Sequence, residues 1–185
     1  MSELQGAVSD GIKLIMPSLI FIGGAPGSGK TTVSNLLHET FQSVMIDYGI
    51  LREFHLDTWW TKQSEKEEQM TFENLVFIGK NYIRNGYKNV IVNDLKDFRI
   101  EQIPEAFAED DFLIVTLFVH DDDELRARVL NPTRDSGFRD AERALAWNRA
   151  VIERPAVRNE YKLDNTLNTP EETAREIINL VNLNE

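Results

Sequence analysis

Gly24-Ala-Pro-Gly-Ser-Gly29-Lys30-Thr31 matches the pattern G-x-x-x-x-G-K-[ST] in full. The chemistry such a stretch can do is the capture of phosphate. Its small residues let the backbone amides of about Gly27 to Thr31 converge on phosphate oxygens, and a helix starting there adds its positive end. Lys30 is expected to reach the β- and γ-phosphates of a nucleotide and Thr31 to ligate magnesium, with Gly24, Ala25, Pro26, Gly27, Ser28, Gly29 and Thr32 completing the cradle. The competing reading is a glycine-rich turn that matches by chance. Against it stand the flanks: Ser18-Leu-Ile-Phe-Ile22 is apolar and β-prone, and the residues after the motif are helix-forming.

A phosphate loop fixes a donor and leaves the acceptor open. Asp47 closes the apolar run Ser43-Val-Met-Ile46. A carboxylate within hydrogen-bond reach of an attacking oxygen can orient or deprotonate an acceptor hydroxyl; the alternative is a plain cap at the strand end. Asp94, after Asn89-Val-Ile-Val92, has the same choice between an outer-sphere magnesium ligand and a cap. The arginines form a third group. Eight of the twelve lie between Arg126 and Arg158, with no lysine and four acids among them, so a stretch near +4 stands in a chain of net charge -11. Guanidinium groups fork onto phosphate oxygens, and Arg134 and Arg139 flank the Asp135-Ser-Gly137 turn, where they are placed to close over a transferring phosphoryl group. The alternative is a solvated helix face laced by pairs such as Asp135 with Arg139.

Weaker signals surround these. His38, His55 and His120 lack metal-ligand spacing. Trp59 and Trp60 are placed either to stack on an acceptor ring or to pack in the core. The run Asp121-Asp-Asp-Glu124 imitates an ATPase acidic motif but suits the amino end of a helix beginning near Leu125.

The elements that must hold these residues follow from periodicity. Val33, Leu36, Leu37 and Phe41 fall at helical spacing after the loop, so strand, helix and strand run from Ser18 to Asp47. Ile50 to about Arg84 is expected to be mostly helical, with Glu65-Lys-Glu-Glu68 marking a break or surface. Further strands are expected at 89–92, 112–119 and 161–163. A helix beginning at Leu125 is broken by Asn131-Pro132, and a longer one runs to about Ile152. Thr169-Pro-Glu-Glu172 is a capping box with proline at the first helical position, followed by Ala174, Ile177, Ile178 and Val181 on one face. Alternating strands and helices imply an α/β fold with a parallel sheet covered on both faces and ligands at the carboxyl ends of the strands.

Composition narrows the partners. At 185 residues and 42% hydrophobic the chain suits one domain, here residues 18–185 after a tail over 1–17. The net charge and a pI near 4.8 argue against nucleic acid or anionic membrane as partners. No cysteine is present, which excludes a disulfide framework, a thiolate metal site and a cysteine nucleophile. The apolar run from Leu14 to Ile22 is interrupted by Pro17 and flows straight into the phosphate loop, so it does not suit a signal segment. A soluble cytoplasmic protein is expected.

With the loop, the strand-end acids and the arginine-rich segment taken together, the chain from Leu19 onward resembles the nucleoside and nucleotide kinase-like branch of P-loop proteins, which includes adenylate, shikimate and gluconate kinases and chloramphenicol phosphotransferase. The resemblance implies a three-layer fold with a five-stranded parallel sheet in order 2-3-1-4-5, an acceptor-binding helical region over about 48–86, and a short lid over about 131–142. It implies that Asp47 occupies the place of the acceptor-binding acid of sugar-type kinases. Tyr48-Gly-Ile-Leu-Arg52 looks like the segment whose arginine holds the acceptor in nucleotide kinases. Trp59 and Asp94 then fall among the acceptor-site candidates, and the turn at Asp164-Asn165-Thr166 near the adenine. The expectation is an ATP- and Mg2+-dependent transfer of the γ-phosphate to a small-molecule acceptor, with Lys30, Asp47, Arg134 and Arg139 as the catalytic set. The rivals are an ATPase that drives a macromolecular partner, with Asp123 and Glu124 at magnesium, a nucleotide-binding module without catalysis, and a polynucleotide 5'-hydroxyl kinase.

Overall fold

The apolar runs assemble into one sheet whose strands are buried on both faces. In the computed structural model, which describes residues 17–54, 64–134 and 136–182, the strands are β1 (Leu19–Gly24), β2 (Met45–Asp47), β3 (Val90–Asn93), β4 (Phe112–Phe118) and β5 (Glu160–Asp164). All pair in parallel, in the spatial order 2-3-1-4-5. Burial from both sides explains why β1, β3 and β4 carry unbroken apolar runs instead of alternation.

The helices are α1 (Lys30–Phe41), α2 (Tyr48–Leu51), α3 (Glu65–Arg84), α4 (Asp97–Ile100), α5 (Ile103–Ala106), α6 (Asp122–Leu130), α7 (Ala141–Glu153) and α8 (Pro170–Asn182). Val33 and Leu37 of α1 and Ala174, Ile177 and Val181 of α8 pack with Ile20, Ile22 and Ile91 on one face of the sheet. Phe72 and Leu75 of α3, Ile100 and Ile103 pack with Leu19, Phe21, Val90 and Val92 on the other. A third cluster, around Val119, Leu125, Val129 and Leu145, joins α6 to α7. Register sets the level of the site. Ile22 pairs with Asn93, and Asn93 with Asp47, so the turn after β1, Asp47 at the close of β2 and Asp94 after β3 all emerge at the carboxyl end of the sheet.

The stretch expected to be mostly helical from Ile50 to about Arg84 carries helix at both ends, α2 ending at Leu51 and α3 beginning at Glu65, and residues 55–63 between them lie outside the described residues. Two expectations are corrected. Glu65-Lys-Glu-Glu68 is the first turn of α3, not a break: the Glu67 amide donates to Ser64 Oγ at 3.2 Å and the Ser64 amide to Glu67 Oε2 at 3.1 Å. That capping box, with three acids in the first turn, is what a helix amino end favours. Pro17, expected in the tail, is buried and its carbonyl accepts from the Asn89 amide at 3.1 Å. Residues 1–16, His55, Trp59 and Trp60 lie outside the described residues. The Thr169 cap is present, with the Glu172 amide donating to Thr169 Oγ1 at 3.2 Å. No helix among the described residues is long and apolar enough to cross a membrane.

One polar clamp crosses the core. Arg154 donates to both carboxylate oxygens of Asp97, at 2.9 Å each, and to both of Glu160, at 2.6 and 2.7 Å. The Glu160 side chain is 0% exposed and also accepts from Thr116 Oγ1 and the Val157 amide. Burial pushes its carboxyl up, but these donors outweigh burial and hold it below the ordinary range. Its stabilising effect is therefore complete above the unfolded-chain value of about 4.3 and is lost as pH falls through the lower folded value. Glu160→Gln leaves Arg154 partly unpaired and is expected to cost about 3 kcal/mol at neutral pH. Urea denaturation from pH 7 down to pH 2 should show the two stability curves converging in acid; parallel curves would contradict the clamp.

Candidate active site

The phosphate-loop motif forms a tight turn from β1 into α1. Gly24 has φ of 130°, and a Cβ there would lie 2.3 Å from the Leu117 carbonyl of β4, so only glycine lets the turn lie against the sheet end. Inside the turn, the Ser28 amide donates to the Ala25 carbonyl at 3.2 Å. The amino end of α1 has neither a side-chain cap nor an acid in its first turn, which leaves its positive end for an anion. The buried Lys30 ammonium donates to the carbonyls of Gly24 at 2.9 Å and Ala25 at 3.1 Å. Burial lowers its pKa, Asp94 opposes that, Arg134 reinforces it, and Asp47 opposes it again. Thr31 and Thr32 are exposed at the start of α1.

Across from the loop, two carboxylates converge. Asp47 Oδ1 accepts from the Ile50 amide at 3.1 Å, so Asp47 caps α2, and the cap fixes the direction of its carboxylate. Asp94 follows β3 with φ of 63°, a conformation unusual for a residue with a side chain. A Cβ on Gly49 would lie 2.9 Å from Asp47 Oδ1 and 3.0 Å from Asp94 Oδ2, so both carboxylates press on this one glycine. Asp94 is open to solvent at the carboxyl end of the sheet, yet the protein crowded around its carboxyl raises its pKa; Lys30 opposes that rise and Asp47 adds to it.

Arg52 reaches the same region but forms an ion pair, at 3.5 Å, with Glu68. Glu68 is a hub that no single stretch of sequence announced. It accepts from Lys96 Nζ at 2.6 Å and from the Tyr48 hydroxyl at 3.0 Å, and it lies 3.8 Å from Arg99. It thereby ties α2, α3 and α4 together. Burial pushes the Glu68 carboxyl up, but the bond to Lys96 and the charges of Lys96 and Arg52 hold it below the ordinary range. Asn93, level with Ile22, is buried with both polar atoms of its side chain lacking a hydrogen-bond partner among the described residues.

The arginine-rich segment is mostly structural, which corrects the reading of the cluster as a phosphate site. Arg126 pairs with Asp123 and Glu142, Arg128 with Glu124, Arg149 with Asp122 and Arg154 with Asp97 and Glu160. Arg143 lies over Trp147, and Arg158 over Phe112. Arg134 differs: its charge is felt at Lys30, while its Nη1 donates to the Val129 carbonyl at 3.2 Å. Arg139 donates to the carbonyls of Phe138, Ser136 and Arg134, bracing the turn between α6 and α7. Asp123 and Glu124 sit in the first turn of α6, held by Arg126 and Arg128, and Asp121 caps that helix. Trp59 lies outside the described residues.

Because Asp47 raises the Asp94 pKa, Asp47→Asn removes a neighbouring negative charge and must lower it. Carboxyl-carbon NMR titration of Asp94 in the two proteins reads this directly, and an unchanged midpoint would mean that the carboxylates do not sense each other.

A family model described as Zeta toxin matches residues 12–89. No curated protein matches the sequence. Among solved structures, a sugar kinase from Janibacter sp. superposes with a TM-score of 0.65 at 12% identity, over 90% of this chain and 95% of the other. A gluconokinase from Sinorhizobium meliloti gives 0.64 at 16% identity over 91% and 94%. The APS kinase of Mycobacterium tuberculosis, in complex with AMPPNP and APS, gives 0.63 at 18% identity over 91% and 99%. With its sheet order and the turn after β1, the chain has the P-loop kinase-like fold.

Proposed function

We propose that the protein is an ATP- and magnesium-dependent kinase that transfers the γ-phosphate to a hydroxyl of a small cytoplasmic molecule, a nucleoside, nucleotide, sugar or other alcohol. The observation that carries this reading is the convergence of Asp47 and Asp94 on Gly49, at the same carboxyl end of the sheet as the turn that holds Lys30. The neighbours in fold support it, being a sugar kinase, a gluconokinase and an APS kinase.

The residues fit a nucleotide and its metal. The uncapped, acid-free start of α1 suits a polyphosphate, and the Lys30 ammonium, now bonded to two loop carbonyls, would turn to the β- and γ-phosphates. Thr31 would hold magnesium directly and Asp94 through water, and the ion when bound would neutralise charge on the phosphates. The acceptor hydroxyl would attack the γ-phosphorus in line, the bridging oxygen would leave with ADP, and the hydroxyl proton would pass to Asp47. Arg134, bonded to the Val129 carbonyl, would turn to steady the moving charge, with Arg139 holding the lid turn that carries it. Arg52 and Trp59 would shape the acceptor pocket. The ATPase reading with Asp123 and Glu124 at magnesium loses support, because both acids are engaged at α6.

Screening nucleosides, nucleotides, sugars and other alcohols for acceptor-dependent ADP release tests the proposal. Hydrolysis that no small acceptor stimulates would count against it. With the acceptor found, Lys30→Ala is expected to lose at least about a hundredfold in kcat while staying folded. Gly49→Ala is expected to behave similarly to a smaller degree, since the flexible carboxylates must move aside while helix propensity gains about 0.5–1 kcal/mol. A folded Lys30→Ala protein with ordinary turnover would refute the assignment of the loop.

A further inference from the structure

The phosphate loop is held from beneath by a residue far away in sequence. Asn165, just after β5, is buried, and its Nδ2 donates to the Ser28 carbonyl at 2.7 Å. Its own side-chain oxygen accepts from Thr173 Oγ1 of α8 at 2.5 Å, so the amide has one orientation. Its backbone is fixed too: the Asn165 amide donates to the Phe118 carbonyl at 2.8 Å, and its carbonyl accepts from Arg128 Nη1 at 2.8 Å. Asn165 is therefore anchored to β4, α6 and α8 before it touches the loop. The approach is close. A Cβ on Gly29 would lie 2.6 Å from Asn165 Nδ2, and Gly29 has φ of 101°.

A trans peptide is planar, with its carbonyl and amide pointing in opposite directions. Holding the Ser28 carbonyl down onto Asn165 therefore turns the Gly29 N–H of the same peptide up, toward the concave side of the loop where an anion would lie. We propose that Asn165 is a positioning residue for the nucleotide donor: it sets the Ser28–Gly29 peptide so that the loop amides converge on phosphate before the nucleotide arrives. Arg128 extends the arrangement, because its Nη2 donates to the Thr166 carbonyl at 2.8 Å and ties the same turn to α6. The turn after β5, held to α6 by Arg128, is thus joined to the loop through Asn165. This rests on the reading of the loop as a phosphate site.

The test is calorimetric binding of MgATP and of inorganic tripolyphosphate to wild type, Asn165→Ala and Asn165→Asp, each shown folded by its unfolding transition. Asn165→Asp keeps the shape and loses the donor. Both variants are expected to bind tripolyphosphate and MgATP about tenfold or more weakly, because the Ser28 carbonyl is left buried without its donor and the peptide is free to turn. Thr173→Val, which frees the Asn165 amide without touching the loop, is expected to show a smaller loss in the same direction, and it decides the matter if both Asn165 variants fail to fold. A merely structural role would lower the unfolding temperature and leave tripolyphosphate affinity in the folded protein unchanged, and that result overturns the inference. Wild-type protein that binds neither probe would overturn the phosphate-site reading itself, a distinguishable outcome.

Discussion

At the carboxyl end of the central strand the backbone of β1 turns into α1 so tightly that the turn lies against the carbonyl of Leu117 on one side and the side-chain amide of Asn165 on the other. Everything else in the molecule is arranged around that fit. The buried strands β1, β3 and β4 give the floor, and the register of β1, β2 and β3 brings Asp47 and Asp94 to the level of the turn. The same turn opens on the amino end of α1, which has no side-chain cap and no acid in its first turn, and its buried ammonium group meets only neutral loop carbonyls. Electrostatic imbalance of that kind is what an anionic ligand relieves.

Opposite the turn the charges are arranged in two tiers. Asp47 and Asp94 form one tier, against Gly49, and Glu68 with Arg52, Lys96 and Arg99 forms the second. The second tier fixes the first, since Tyr48 and Arg52 flank the helix that Asp47 caps and Lys96 follows closely after Asp94. Preorganised charge of this sort acts by position and needs no large rearrangement when a substrate binds.

How much of this was legible in the sequence depends on whether a signal was local. The turn at the Gly24–Thr31 motif, the strands and the Thr169 cap were readable, because each rests on contiguous spacing or on apolar runs with clear ends, whereas the sheet order came only with the resemblance to P-loop kinases. Ser64-x-x-Glu67 was equally local, but the dense charge of Glu65 to Glu68 suggested a surface break and hid the start of α3. Glu68 and Asn165 were not readable as anchors, since their partners lie at Tyr48, Lys96 and Arg99 for the one and at Ser28 and Thr173 for the other. The arginine cluster misled for a related reason. A count from 126 to 158 omits Asp97, Asp122, Asp123 and Glu124, which precede that stretch and neutralise Arg154, Arg149, Arg126 and Arg128. Charge balance is a property of contacts in space, and a sequence window cuts across them.

The central claim is that the turn between β1 and α1 grips the polyphosphate of a nucleotide. Titrating the folded wild-type protein with Mg-ATP in a calorimeter, in the absence of any acceptor, measures that grip with no assumption about the acceptor. The account predicts saturable uptake of one nucleotide per chain, competed by ADP. No heat of binding at millimolar nucleotide, with folding verified in the same sample, would contradict it.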